Sequence, residues 1–224
     1  SSMRSQNARG VPPSTPGTSM PVSAAKVGAK LGLVTTNPAR VDGIYKMVDV
    51  AWNSITGSSV GVENNVSVND SRIEKNTIWD NTLGVWLMEA ARNNFVRRNT
   101  IRQNSDGMVV DGDWNRVFDN VLENNSGATG VHLNATASNN SMVGNFFVNN
   151  IPQAFDVGVN NKWNDTTRGN CWSDRKTNPG FPYTYIIDID SIDYRPCGIT
   201  ASLISHAKAG LVKIQDFTSF KKNN

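Results

Sequence analysis

Asn76–Leu87 reads NTIWDNTLGVWL, and the pattern returns as NTIRQNSDGMVV (Asn99–Val110), NVLENNSGATGVHL (Asn120–Leu133) and NFFVNNIPQAFDV (Asn145–Val157). Each copy opens on Asn, runs through two or three apolar or β-forming residues, reaches a second Asn five places on (Asn81, Asn104, Asn125, Asn150), and closes on a short apolar run. The opening Asn residues are spaced by 23, 21 and 25. Asn53, 23 before Asn76, and Asn170, 25 after Asn145, extend the series to six marks, hence five to six coils.

A period in the low twenties is too short for most helical-hairpin repeats, and the apolar residues alternate in twos. Ile73, Val96, Val117 and Met142 stand three places before the marks; Ile78, Ile101, Leu122 and Phe147 stand two places after. Later in each unit come Val85/Leu87, Met108/Val110, Val131/Leu133 and Phe155/Val157. Three short apolar segments per turn, each stacked on its equivalent, predict an all-β chain folded as a right-handed three-sided parallel β-helix. Equivalent residues then lie about 4.8 Å apart along the stack, so identical amides hydrogen-bond up it as an Asn ladder, and Asn tolerates the left-handed backbone of a corner. Residues 53–170 hold 24 Asn, far above an ordinary share, which favours this use over chance. A leucine-rich repeat has a similar period but requires the LxxLxLxxN order, which is missing.

The expected organisation is a flexible N-terminal arm and cap over 1–40, the solenoid over 41–197, and a tail over 198–224 that packs on the stack or leaves it. Ser23–Val34 (SAAKVGAKLGLV) is read as a short capping helix. Lys plus Arg number 22 against 19 Asp plus Glu, an excess too small to indicate nucleic acid. No apolar run approaches the roughly 18 residues of a membrane span, and the opening residues lack the apolar middle of a signal peptide. Cys171 and Cys197 are the only cysteines, expected as one disulfide in an oxidising compartment.

The repeats resemble those of the pectate-lyase-like superfamily. The ending GNCWSDRKTNPGFPYTYIIDIDSIDYRP is similar to the closing segment of the NosD-like periplasmic β-helix family, through Gly169, Asn170, Trp172, Ser173 and Asp174, then Pro182 and Tyr183, then Asp193–Pro196. The resemblance implies the β-helix fold and a place outside the cytoplasm: secreted, periplasmic or at the cell surface. It implies little about activity, because such repeats serve lyases, hydrolases, epimerases and non-catalytic scaffolds alike.

If Val85/Leu87 and their counterparts point inward, an outward row of Glu63, Trp86, Val109, His132 and Asp156 follows, with Asp111 in the neighbouring row. This wall suits sugar: His132 or Asp111 as acid or base, Asp156 orienting His132, Trp86 as a stacking platform beside Glu63. Arg97, Arg98 and Arg102, near Arg92 and Arg116, could hold a uronate, sulfate or phosphate, or else form ordinary ion pairs with interleaved acids. Only two histidines occur, and Met88, Met108 and Met142 fall at different phases, so no metal site and no cofactor are expected. Six sequons, at Asn65, Asn69, Asn124, Asn134, Asn139 and Asn164, matter in a eukaryotic secretory setting.

The favoured reading is a rigid, non-catalytic envelope or extracellular surface that binds polysaccharide or takes part in assembly. The alternatives are a small polysaccharide lyase, hydrolase or epimerase, and a copper-delivery accessory protein. The termini are a further candidate for self-assembly.

Overall fold

Alternation within the repeat produces three stacks of short parallel strands. The structure is a computed structural model that describes residues 34–35, 39–41, 49–64 and 69–208; the expected arm and Ser23–Val34 helix lie outside these residues up to position 33, and Val34 stands in a strand. The first face stacks Val34–Thr35, Ser54–Thr56, Thr77–Trp79, Thr100–Arg102, Val121–Glu123, Phe146–Val148, Cys171–Trp172 and Cys197–Gly198 in chain order. The second stacks Ala39–Val41, Val60–Asn64, Leu83–Leu87, Asp106–Val110, Thr129–Leu133 and Ala154–Asp156. The third stacks Asp49–Ala51, Arg72–Glu74, Phe95–Arg97, Arg116–Phe118 and Ser141–Val143. The result is a parallel β-helix of about six turns.

The core is a set of vertical columns. On the first face Ile55, Ile78, Ile101, Leu122, Phe147 and Trp172 pair rung by rung. Opposite stand Ile73, Val96, Val117 and Met142, and all of these are buried. Each such side chain contributes about 1.5–3 kcal/mol by leaving water.

Amides hold the corners. The backbone N–H and Nδ2 of Asn76 both donate to Asn99 Oδ1, at 2.9 and 3.0 Å, and Asn99 repeats this onto Asn120 and Asn120 onto Asn145. Asn81, Asn104, Asn125 and Asn150 form a second column of the same kind. A third, not anticipated from the sequence, runs from Ser71 through Asn94, Asn115 and Asn140 to Asn161. One expectation needs correcting. The laddered Asn is not the left-handed residue; the residue before it is. Lys75, Arg98 and Asp119 precede the first column, Asp80, Gln103 and Asn124 the second, and Asn93, Trp114 and Asn139 the third, all with φ between 54° and 58°. The bend therefore aims the next amide along the stack. Asn and Asp accept that backbone most readily, while Trp and Arg do so at a cost of about 1 kcal/mol.

Close stacking at one corner excludes side chains. A Cβ on Gly107 would lie 2.3 Å from the Gly130 carbonyl oxygen and 2.9 Å from Asn125 Nδ2. In the last coil Gln153 takes this place: Gly130 N–H donates to the Pro152 carbonyl and Val131 N–H to the Gln153 carbonyl.

The upper end is closed by residues 169–198. Trp172 stacks flat between Phe147, with centroids 4.2 Å apart, and Tyr185, at 3.9 Å. Each Asn column ends on a different side chain: Asp193 Oδ2 accepts from Asn170 N–H at 2.7 Å, Gln153 Oε1 from Asn150 N–H at 3.1 Å, and Asp156 Oδ1 from Asn161 Nδ2 at 2.9 Å. Burial pushes the Asp193 carboxyl above its ordinary range, although Asn170, Trp172 and Arg195 all donate to it. Gly169 is required there, since a Cβ would sit 2.0 Å from Asp193 Oδ1.

Cys171 and Cys197 are joined, placing Cys197–Gly198 as the outermost strand of the first face. Beyond it the helix Ala201–Lys208 folds back so that Leu203, Ile204 and Ala207 cover Val121, Phe146 and Val148 on the outside of that face. Lys208 pairs with Glu123 below. For a loop of 26 residues the disulfide stabilises by about 3 kcal/mol. The thermal midpoint is therefore expected to fall by several degrees in reductant, with no such change in a Cys171→Ser/Cys197→Ser double variant, as followed by circular dichroism.

Candidate functional site

The second face turns the fourth residue of each five-residue strand outward. Glu63, Trp86, Val109, His132 and Phe155 lie in register, one per coil. Glu63, Trp86, Asp111 and His132 thus share a face, as the alternation implied. Asp156 does not. It pairs with Leu133, points inward and is 3% exposed, while Phe155 takes the outer position at 41%. The inward pair of this coil is Ala154/Asp156, and the expected Phe155/Val157 is corrected accordingly. A core carboxylate is tolerated because the stack ends here: Asp156 accepts from Trp163 Nε1 at 2.8 Å, Asn161 Nδ2 and the Ser191 hydroxyl. It has no role in orienting His132.

Asp111 is held by neighbours on both sides. Trp86 Nε1 donates to its Oδ2 at 2.6 Å, and Asn134 Nδ2 to its Oδ1. This carboxylate fixes the indole against the sheet. His132 sits edge-on to Phe155 with centroids 5.1 Å apart, and neither ring nitrogen hydrogen-bonds a described residue. Asp106, at the start of the strand below, has its carboxyl pushed up by burial, offset in part by the Thr129 backbone and the charge of His132. Asn134 falls beside Asp111 in the neighbouring row, as the alternation places it, and Phe155 is the member of this wall that sequence reasoning missed. Phe155 was legible by counting from Asn150, since Met108 and Ala154 both follow their second Asn by four.

The arginines do not converge. Arg97 lies on the third face, ion-paired to Glu74 and over the Phe118 ring at 5.9 Å. Arg98 is at a corner, exposed, and Arg102 is on the first face over Trp79 at 5.1 Å. Arg116 covers Phe95 at 5.6 Å and Arg92 pairs with Asp113 at 3.2 Å. A stacked anion site over Arg97, Arg98 and Arg102 is therefore not assembled, because a corner at Arg98 separates the third-face Arg97 from the first-face Arg102.

This geometry agrees with the sequence comparisons. A family model described as periplasmic copper-binding protein (NosD) matches residues 39–176, more than half of the chain. The chain belongs to the NosD family. A cell surface glycoprotein of Methanothermus fervidus is 28% identical over 156 residues, covering 62% of this chain and 26% of that protein. The NosD-family chain thus spans about a quarter of that relative's length. No solved structure matches it. Family and relative place it outside the cytoplasm, in the periplasm or at the cell surface, and among the described residues no helix is long and apolar enough to cross a membrane.

The family description implies copper, and the donors described do not fit it. Met108 and Met142 are fully buried on different faces, both cysteines are in the disulfide, and His132 has Phe155 as its ring neighbour. Among the described residues no three His, Cys, Asp or Glu side chains could share an ion.

The sequons differ in access. Asn134 donates to Asp111, Asn164 accepts from Tyr194 N–H, and Asn69 accepts from Arg92 N–H. Asn124 is exposed at a corner, and its side chain bonds no described residue. Secretion from a eukaryotic host is expected to load glycan chiefly on Asn124, as read by peptide mass mapping; equal occupancy at Asn134 contradicts this.

Proposed function

We propose that this NosD-family protein is a rigid, non-catalytic surface that binds polysaccharide along the second face, with Trp86 and Phe155 as stacking platforms and His132 and Asn134 as hydrogen-bonding groups. The observation that carries the reading is the Trp86–Asp111–Asn134 network, which presents an indole in fixed orientation on a stiff sheet, at little entropic cost to binding. The same network argues against turnover. Asp111 is committed to two donors, Asp156 is inside, and His132 is left without a carboxylate to orient it, so no acid–base pair is set.

Incubation with uronate-rich and neutral polysaccharides tests this. Retention in affinity electrophoresis that is lost in Trp86→Ala, without new reducing ends or unsaturated product, is the expected result. Turnover abolished by both His132→Ala and Asp111→Ala overturns it in favour of an enzyme.

A further inference from the structure

A cleft of about 520 Å³ opens where the last coil meets the closing segment. Its volume lies within the range of small-molecule sites. One wall is Ile151, Pro152 and Ala154; the other is Ile186 and Ile187. Between them lie Ser173 and Asp174, on the same WSD run that closes the solenoid.

The polar groups here are few and fixed. Asp174 accepts from the Tyr185 hydroxyl at 3.1 Å on both oxygens and from Gln153 Nε2 at 3.3 Å, and pairs with no described cation. The donors that hold it are neutral, and Asp174 and Ser173 are both exposed at the cleft, so the carboxylate is open to a cationic ligand. Ser173 Oγ accepts from Asn149 N–H at 2.9 Å and Gln153 Nε2 at 2.7 Å. With its acceptor capacity used, its proton is left to donate to a ligand oxygen. The side-chain amide of Asn149, exposed at the rim, bonds no described residue.

We infer that this cleft binds a primary ammonium borne on a hydroxylated ring, the chemistry of an unacetylated amino sugar, with Asp174 receiving the ammonium, Ser173 an adjacent hydroxyl oxygen, and the apolar walls the ring C–H faces. A hard metal ion is a poor fit, because one carboxylate supplies too few oxygens. A simple alkylammonium leaves the Ser173 proton without an acceptor. The site is separate from the second-face wall and does not depend on it.

Isothermal titration of the full chain with glucosamine, N-acetylglucosamine and cyclohexylamine tests the assignment. Glucosamine is expected to bind saturably. Both other compounds, and glucosamine with Asp174→Asn, are expected to bind at least about tenfold more weakly, the scale of one lost hydrogen bond to a charged group. Asn keeps an acceptor for Tyr185, and an unchanged melting curve verifies the fold. Ile186→Trp fills the cleft without touching the carboxylate and is expected to block binding as well. Equal affinity for glucosamine and N-acetylglucosamine, equal affinity for cyclohexylamine, or full binding by Asp174→Asn each overturns the proposal.

Discussion

Asn120→Ala is expected to destabilise the solenoid by on the order of 4 kcal/mol, whereas Asn124→Ala, four residues on, costs less than about 1. Asn120 is fully buried in the middle of the first column. Its Oδ1 is the acceptor for both the backbone N–H and the Nδ2 of Asn99. Its own Nδ2 donates to the Val96 carbonyl at 2.8 Å, Phe118 at 3.2 Å and Asn145 Oδ1 at 3.0 Å. Truncation strips the Asn99 N–H of its partner where water cannot replace it, and weakens three acceptors besides. Each orphaned buried group costs about 1–3 kcal/mol. Asn124 faces solvent, so its removal forfeits only the tolerance of Asn for the left-handed backbone at φ 54°. Stacked repeats unfold with limited cooperativity, so the comparison belongs on the denaturant midpoints of the two variants measured side by side. Equal shifts mean that the amide columns decorate the corners and do not hold them.

The columns also show what a sequence discloses about such a fold. Marks at Asn76, Asn99, Asn120 and Asn145 and their partners five places on were legible because phase and residue type repeat together. The third column was equally regular, with Asn94, Asn115 and Asn140 each five before a mark. It was obscured because the segments leading into it, from Leu87 and from Val110, differ in length. The second-face wall was legible through three coils, where Val85, Met108 and Val131 occupy one inward column. It failed at the fourth because hydrophobic alternation presumes an apolar interior, and the last interior position belongs to the polar lid. There Asp156 answers Asn161, Trp163 and Ser191, and Phe155 is turned out. The arginine cluster failed for another reason. Closeness in sequence says little in a coil that turns a corner every few residues, whereas a separation of one period does: Arg97 pairs with Glu74, 23 residues away.

The closing segment carries the other large effect. Trp172→Ala is expected to cost on the order of 4 kcal/mol and to convert the protein from a monodisperse species to an associating one. Trp172 is fully buried and continues the column of Ile55, Ile78, Ile101, Leu122 and Phe147, so its loss opens a cavity directly above Phe147. Tyr185 loses the ring beneath it, and with it the contact that seats the 185–193 hairpin over the end of the stack. Asp193 meanwhile loses the Trp172 Nε1–H at 3.0 Å, leaving a buried carboxylate with fewer donors. Once the hairpin lifts, Ala154–Asp156, the last strand of the second face, presents an open edge that pairs with other chains, whereas Ser141–Val143 stays covered by its bridge to Lys162. Trp172→Phe retains the stack and sacrifices only the hydrogen bond, so it separates the two contributions. It is expected to keep most of the stability and remain monodisperse in light scattering. A Trp172→Ala protein that melts within a degree or two of the parent and stays monodisperse excludes the lid as the element protecting the stack.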